Sequence, residues 1–77
     1  MENKLYKTKD LGEASALIAK QQYLIDIERQ GTVCWFVFQN MELCKKLSYL
    51  YYFGDLQINA RTFYEAMTRL KSRIFNR

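Results

Sequence analysis

The sequence predicts an α+β domain with elements in the order β-α-β-β-α-α. The expected sheet is three-stranded, mixed and ordered 1-3-2, with helices packed on it. Three observations carry this reading. A short alternating segment is followed by a helical stretch and a second alternating segment. A glycine-containing connection then leads into residues 32–38, apolar from Val33 on both alternating faces. Two stretches of helical period close the chain, each behind an asparagine. The 77 residues are 49% hydrophobic and 16% aromatic, enough for a single small α+β domain over residues 1–77. So short a chain buries a smaller share of its surface than a larger domain does, roughly 60%, and large aromatic side chains offset that. There is no proline, repeat or low-complexity stretch to suggest a linker.

Leu5-Tyr6-Lys7-Thr8 alternates and reads as the first strand. Asp10, with Glu13 three residues on, has the spacing of a capping box, in which each side chain satisfies a free backbone N–H. The helix behind it is expected from Leu11 to about Gln22, with Leu11, Ala14, Leu17, Ile18 and Gln21 on its buried face and Gly12 doing little harm in the first turn. Tyr23 to Glu28 alternates again, with Tyr23, Ile25 and Ile27 on one side and Leu24, Asp26 and Glu28 on the other. Arg29-Gln30-Gly31-Thr32 is a hairpin connection in which Gly31 can take a positive φ.

In the third strand Val33, Trp35 and Val37 alternate with Cys34, Phe36 and Phe38. A strand apolar on both sides belongs in the middle of a sheet. Trp35 and Phe36 are therefore expected to be buried on opposite faces. Asn40 caps a helix from Met41 to Phe53, closed by Gly54, with Leu43, Leu47, Leu50 and Tyr51 as its core face. Leu56 and Ile58 tuck inward from an extended connection. Asn59 caps the final helix, Ala60 to about Phe75, with Phe63, Met67, Leu70 and Ile74 as its apolar stripe. A strand–helix–strand unit makes its two strands parallel. The hairpin makes the third antiparallel to the second, which places it between them.

Composition narrows the function classes. The first residues lack the apolar core of a signal peptide, and the longest apolar run, Val33 to Phe38, is far short of the roughly 20 residues of a membrane span. A cytoplasmic protein with no membrane partner is expected. Cys34 and Cys44 lie in apolar settings without a C-x-x-C spacing and read as two buried free thiols. With no histidine, most zinc sites and every nucleophile–histidine dyad are removed. Asp26 and Glu28 share a strand face, but Arg29-Gln30 follows where a metal-dependent nuclease would place its lysine. No metal, cofactor or catalytic residue is expected, and the chain reads as a non-enzyme.

The charge is confined to one end. Residues 60–77 hold Arg61, Arg69, Lys71, Arg73 and Arg77 against the single acid Glu65, which accounts for the whole formal charge of +4. Residues 1–59 hold seven bases and seven acids. A field that local attracts nucleic-acid backbones or acidic protein surfaces. Cations near a helix C-terminus also favour its dipole, and Glu65 is spaced to pair with Arg61 or Arg69.

The chain resembles a family of short uncharacterised domains found in bacterial and phage genomes. The resemblance lies in Tyr6-Lys7-Thr8-Lys9-Asp10-Leu11, Ala16-Leu17-Ile18-Ala19, Trp35-Phe36-Val37-Phe38 and Leu70-Lys71-Ser72-Arg73-Ile74. It implies a shared small α+β fold and a mobile-element context, and carries no activity or catalytic residue with it.

Two functions follow from the residues. One is a nucleic-acid-binding accessory or regulatory domain, for DNA or RNA, gripping phosphates through Arg61, Arg69, Lys71, Arg73 and Arg77, with Lys45 and Lys46 adding charge. The other is a protein-binding inhibitor or adaptor using Tyr49, Tyr52 and Phe53 on the outer face of the second helix. Aromatics interleaved with lysines suit base stacking and protein interfaces alike. Two helices on one sheet face would leave the other bare, exposing either Val33/Val37 or Cys34/Phe38, so a homodimer is expected.

Overall fold

The computed structural model describes residues 4–75 and builds six elements. These are β1 (Tyr6–Thr8), α1 (Leu11–Ala19), β2 (Leu24–Gln30), β3 (Val33–Phe38), α2 (Met41–Tyr52) and α3 (Ala60–Phe75). The sheet order is β1-β3-β2, as the double-sided apolarity of β3 requires. Both hydrogen-bonded pairs are antiparallel. The parallel strands β1 and β2 are kept apart by β3, so the sheet is antiparallel throughout rather than mixed.

All three helices contribute to one core on a single side of the sheet. Phe36 and Phe38 of β3 meet Ala14 and Leu17 of α1, Cys44 of α2 and Leu70 of α3 there. Within the helical layer α1 packs against both α2 and α3, which scarcely touch each other. This central position explains why α1 is buried continuously from Glu13 to Leu17 instead of along one stripe. The opposite sheet face, presented by Val33, Trp35 and Val37, carries no helix. Trp35 is therefore only half-buried, contrary to the expectation of two equally buried aromatics, while Phe36 keeps 1% exposure.

Local chemistry sets the boundaries. Asp10, Asn40 and Asn59 accept from the backbone N–H groups of Glu13, Leu43 and Thr62 at the three helix starts. α1 stops at Ala19, short of the expected Gln22, because Gln21 turns left-handed at φ 68°. Its N–H donates to the Ile18 carbonyl, and that of Gln22 to Leu17. These two bonds form a Schellman closure. α2 ends the same way, with Gly54 at φ 81°, its N–H on Tyr51 and that of Asp55 on Leu50. Gly12 lies under the Tyr51 hydroxyl, and a Cβ there would force that ring tip to shift.

The phase of β2 differs from simple alternation. Leu24 pairs with Phe38 and Asp26 with Val37, leaving Ile25 as the extra residue of a bulge. The bulge lets Leu24 and Ile27 both face the helices, while Tyr23 and Ile25 stay exposed. The core face of α2 is also rotated from Leu43, Leu47, Leu50 and Tyr51. Cys44 and Ser48 are its buried residues, and Leu43 is exposed.

Two stability measurements check these assignments. Phe36→Ala should cost about 3–5 kcal/mol in urea unfolding, as for a fully buried aromatic, and Trp35→Ala clearly less. Gln21→Gly should raise stability by about 0.5–1 kcal/mol by relieving the left-handed strain. Equal costs for the two aromatics, or a destabilising glycine, would contradict the respective assignment.

Candidate functional site

The most organised polar site is the buried carboxylate of Glu13, at 3% exposure. Its Oε1 accepts from Thr8 Oγ1 at 2.6 Å and Tyr52 Oη at 2.8 Å. Its Oε2 accepts from Tyr6 Oη at 2.5 Å and from Ser48 Oγ. Two donors on each oxygen fill the acceptor sites of a carboxylate. The capping box is thus half-formed: Asp10 caps the Glu13 N–H, but Glu13 turns inward, and the Asp10 N–H donates to Thr8 Oγ1 instead. Sequence reading assigned Glu13 to the cap. The signal that could have found the cluster is the spacing of four hydroxyl residues, Tyr6 and Thr8 on one strand face and Ser48 and Tyr52 one turn apart on a helix.

Burial by itself would raise the Glu13 pKa, but the hydroxyls of Ser48, Thr8, Tyr6 and Tyr52 outweigh it and hold the group below the ordinary 4.5. Burial, then hydrogen bonding to Glu13, pushes the Tyr6 phenol up. Tyr52 is raised strongly by desolvation of its hydroxyl and by its bonds to Glu13 and Asp10. Burial and then the Glu13 charge drive the Cys44 thiol up to about 11, so it carries no thiolate at neutral pH. The cluster has charged carboxylate and neutral phenols across the neutral range. A carboxylate with every lone pair engaged is a structural tie and a poor base.

The expected binding residues fall into separate surfaces. On α3, Arg61 is held by Glu65 at 3.3 Å. Arg69, Lys71 and Arg73 are exposed and, among the described residues, form no ion pair. Helical spacing puts Arg69 and Arg73 on one flank and Lys71 on the other. Arg77 lies outside the described residues. One cation that sequence reading left out joins this end: Arg29 Nη2 donates to the Ile74 carbonyl at 2.7 Å, at the negative end of the α3 dipole. Arg29 and Lys9 also border a cleft of about 400 Å³ lined by Leu11, Cys34, Phe36 and Ile74. Cys34 is therefore only half-buried, not sealed in the core as expected.

Lys45, Lys46, Tyr49 and Tyr52 of α2 and Phe53 at its C-cap are exposed, with α1 between them and α3. Tyr49 and Phe53 keep 63% and 67% exposure with ring centroids 4.6 Å apart. The Tyr52 ring is exposed but its hydroxyl is committed to Glu13 and Asp10. Asp26 and Glu28 lie on the helix-free face, where Lys7 Nζ meets Glu28 Oε1 at 3.0 Å. No cluster of three metal-ligating side chains occurs among the described residues. No described helix is long and apolar enough to cross a membrane. No protein-family model, curated protein or solved structure matches this chain. The family resemblance therefore rests on its four sequence segments alone.

Because the folded pKa of Glu13 is lowered, its contribution to stability is complete above about pH 4.5 and is lost as pH falls through the folded value. Glu13→Gln should destabilise the protein by at least about 2–3 kcal/mol at neutral pH, because it breaks charge-assisted bonds and sets donors against donors. It should also flatten the acid limb of the stability–pH curve, measured by urea unfolding between roughly pH 2 and pH 7. An unchanged acid limb would show that another carboxylate governs it.

Proposed function

We propose that this chain is a non-enzymatic nucleic-acid-binding domain that grips the phosphate backbone through α3. One observation carries the reading: Arg69 and Arg73 stand one turn apart, exposed and without an acidic partner among the described residues, because the only acid of α3 is engaged by Arg61. Guanidinium groups in that state are available for bidentate phosphate contact. Lys71 on the other flank and Arg29 at the helix end enlarge the same positive field. Such contacts position a strand without reading its sequence, which fits an accessory or regulatory role. The two unbridged thiols fit a reducing compartment and hence a cytoplasmic setting.

A second reading has an observation of its own. The exposed Tyr49–Phe53 pair offers a large aromatic anchor of the kind favoured in protein interfaces. It belongs to a different surface, so the two readings separate experimentally.

The test is fluorescence anisotropy with labelled single- and double-stranded DNA and RNA across a salt series. Binding should weaken with salt, and Arg69→Gln/Arg73→Gln should flatten the slope by roughly 1.4–1.8 log units per decade of salt, two contacts' worth. Tyr49→Ala/Phe53→Ala should lower affinity for single strands without changing the slope, since stacking releases no counterions. Absence of binding to any of the four at low salt would remove the nucleic-acid reading and favour the protein-binding one.

A further inference from the structure

The helix-free face of the sheet has an ordered distribution of charge. Across it, Lys7 of β1, Val37 of β3 and Asp26 of β2 stand in register. One step along, Lys9 reaches over the Trp35 ring, its Nζ 5.8 Å from the centroid, and Glu28 pairs with Trp35 on the other side. Both rows read cation, apolar residue, anion. The cations are on the β1 edge and the acids on the β2 edge, with half-buried Val33 and Trp35 and fully buried Val37 between them, and within one copy Lys7 Nζ already meets Glu28 Oε1 at 3.0 Å. Ile25, displaced outward by the bulge at 43% exposure, extends the apolar strip toward β2.

A two-fold axis laid along β3 carries the β1 edge of one copy over the β2 edge of another and leaves each row at its own level. Lys7, which within its own copy meets Glu28, then also faces Asp26 of the second copy, Lys9 faces its Glu28, and the half-buried Val33 and Trp35 of the two copies meet. We propose that this face is the interface of a homodimer formed by aligned sheet-on-sheet stacking. The pattern favours a second copy over a nucleic acid, because a phosphate backbone would meet two acids for two lysines. Stacked sheets lie about 10 Å apart within about 30° of alignment, which brings charged side chains of opposite edges within reach.

The size of the face sets the strength. Strands of three, seven and six residues cover at most roughly 14 by 20 Å on each copy, which keeps the buried total below the about 1,000 Å² of a stable specific interface and marks a weak, reversible one. A dissociation constant of micromolar order is expected. The helices lie on the far side of each sheet, so α3 stays accessible in the dimer. Dimerisation and nucleic-acid binding can therefore fail independently.

Sedimentation velocity from about 1 to about 300 µM should show the wild type passing from monomer to dimer. Trp35 is the chain's single tryptophan, so its emission should shift to the blue over the same range. Lys7→Glu alone and Asp26→Lys alone each set like charges together twice per dimer and should weaken association about tenfold or more. Mixing the two variants in equal amounts should restore it, because in the heterodimer each replaced position meets an opposite charge. Both positions are exposed, and far-UV circular dichroism verifies the fold. A wild type that stays monomeric throughout, single variants that associate as the wild type does, or a mixture that regains nothing would each overturn the proposal. Quenching of Trp35 by oligonucleotide in a persistent monomer would also overturn it and make the face a stacking platform.

Discussion

The fold is organised around one buried negative charge. Glu13 sits on α1, and its carboxylate collects hydroxyls from β1 and α2, so a single group fixes the mutual placement of three elements. A buried charge is costly unless every acceptor position is filled, and here each oxygen has two donors. The requirement reaches beyond the cluster. It turns Ser48 inward where a leucine face was expected, rotating α2 and leaving Leu43 exposed. It draws down the hydroxyl of Tyr52, and its charge adds to the desolvation that makes Cys44 unreactive.

The second constraint is that three helices share one side of a three-stranded sheet. The middle position of α1 divides the surface it leaves behind. Basic α3 and aromatic α2 become independent surfaces, although the sequence presents both as candidate nucleic-acid contacts. Arg29, an unremarkable hairpin residue in the sequence, comes to lie against the last turn of α3. The same layering exposes Trp35 while sealing Phe36, its neighbour, with Lys9 over the indole and the Lys7–Glu28 pair on the same face. The layering thus leaves three separate exposed surfaces: basic α3, aromatic α2 and the helix-free sheet face.

Element order and type were legible from the chain because they rest on local signals. The caps at Asp10, Asn40 and Asn59, the glycine closure after α2 and the span of α3 each depend on residues within a turn of one another. The central place of β3 followed from its composition, since a strand apolar on both faces has no stable place at a sheet edge. The confinement of net charge to residues 60–77 needed no structure at all.

Tertiary structure decided what depends on residues far apart in the chain. The bulge at Ile25 reverses the facing of half of β2, and no local pattern marks it, because alternation continues through the segment. Glu13 reads as a capping residue until Ser48 and Tyr52, 35 and 39 positions away, supply the donors that turn it inward. Whether a cation is free also lies beyond composition: Arg61 and Arg69 are equally spaced from Glu65, and the fold gives the acid to Arg61. Local propensity acts over a few residues, whereas burial and the pairing of charge are settled only when distant segments are brought together.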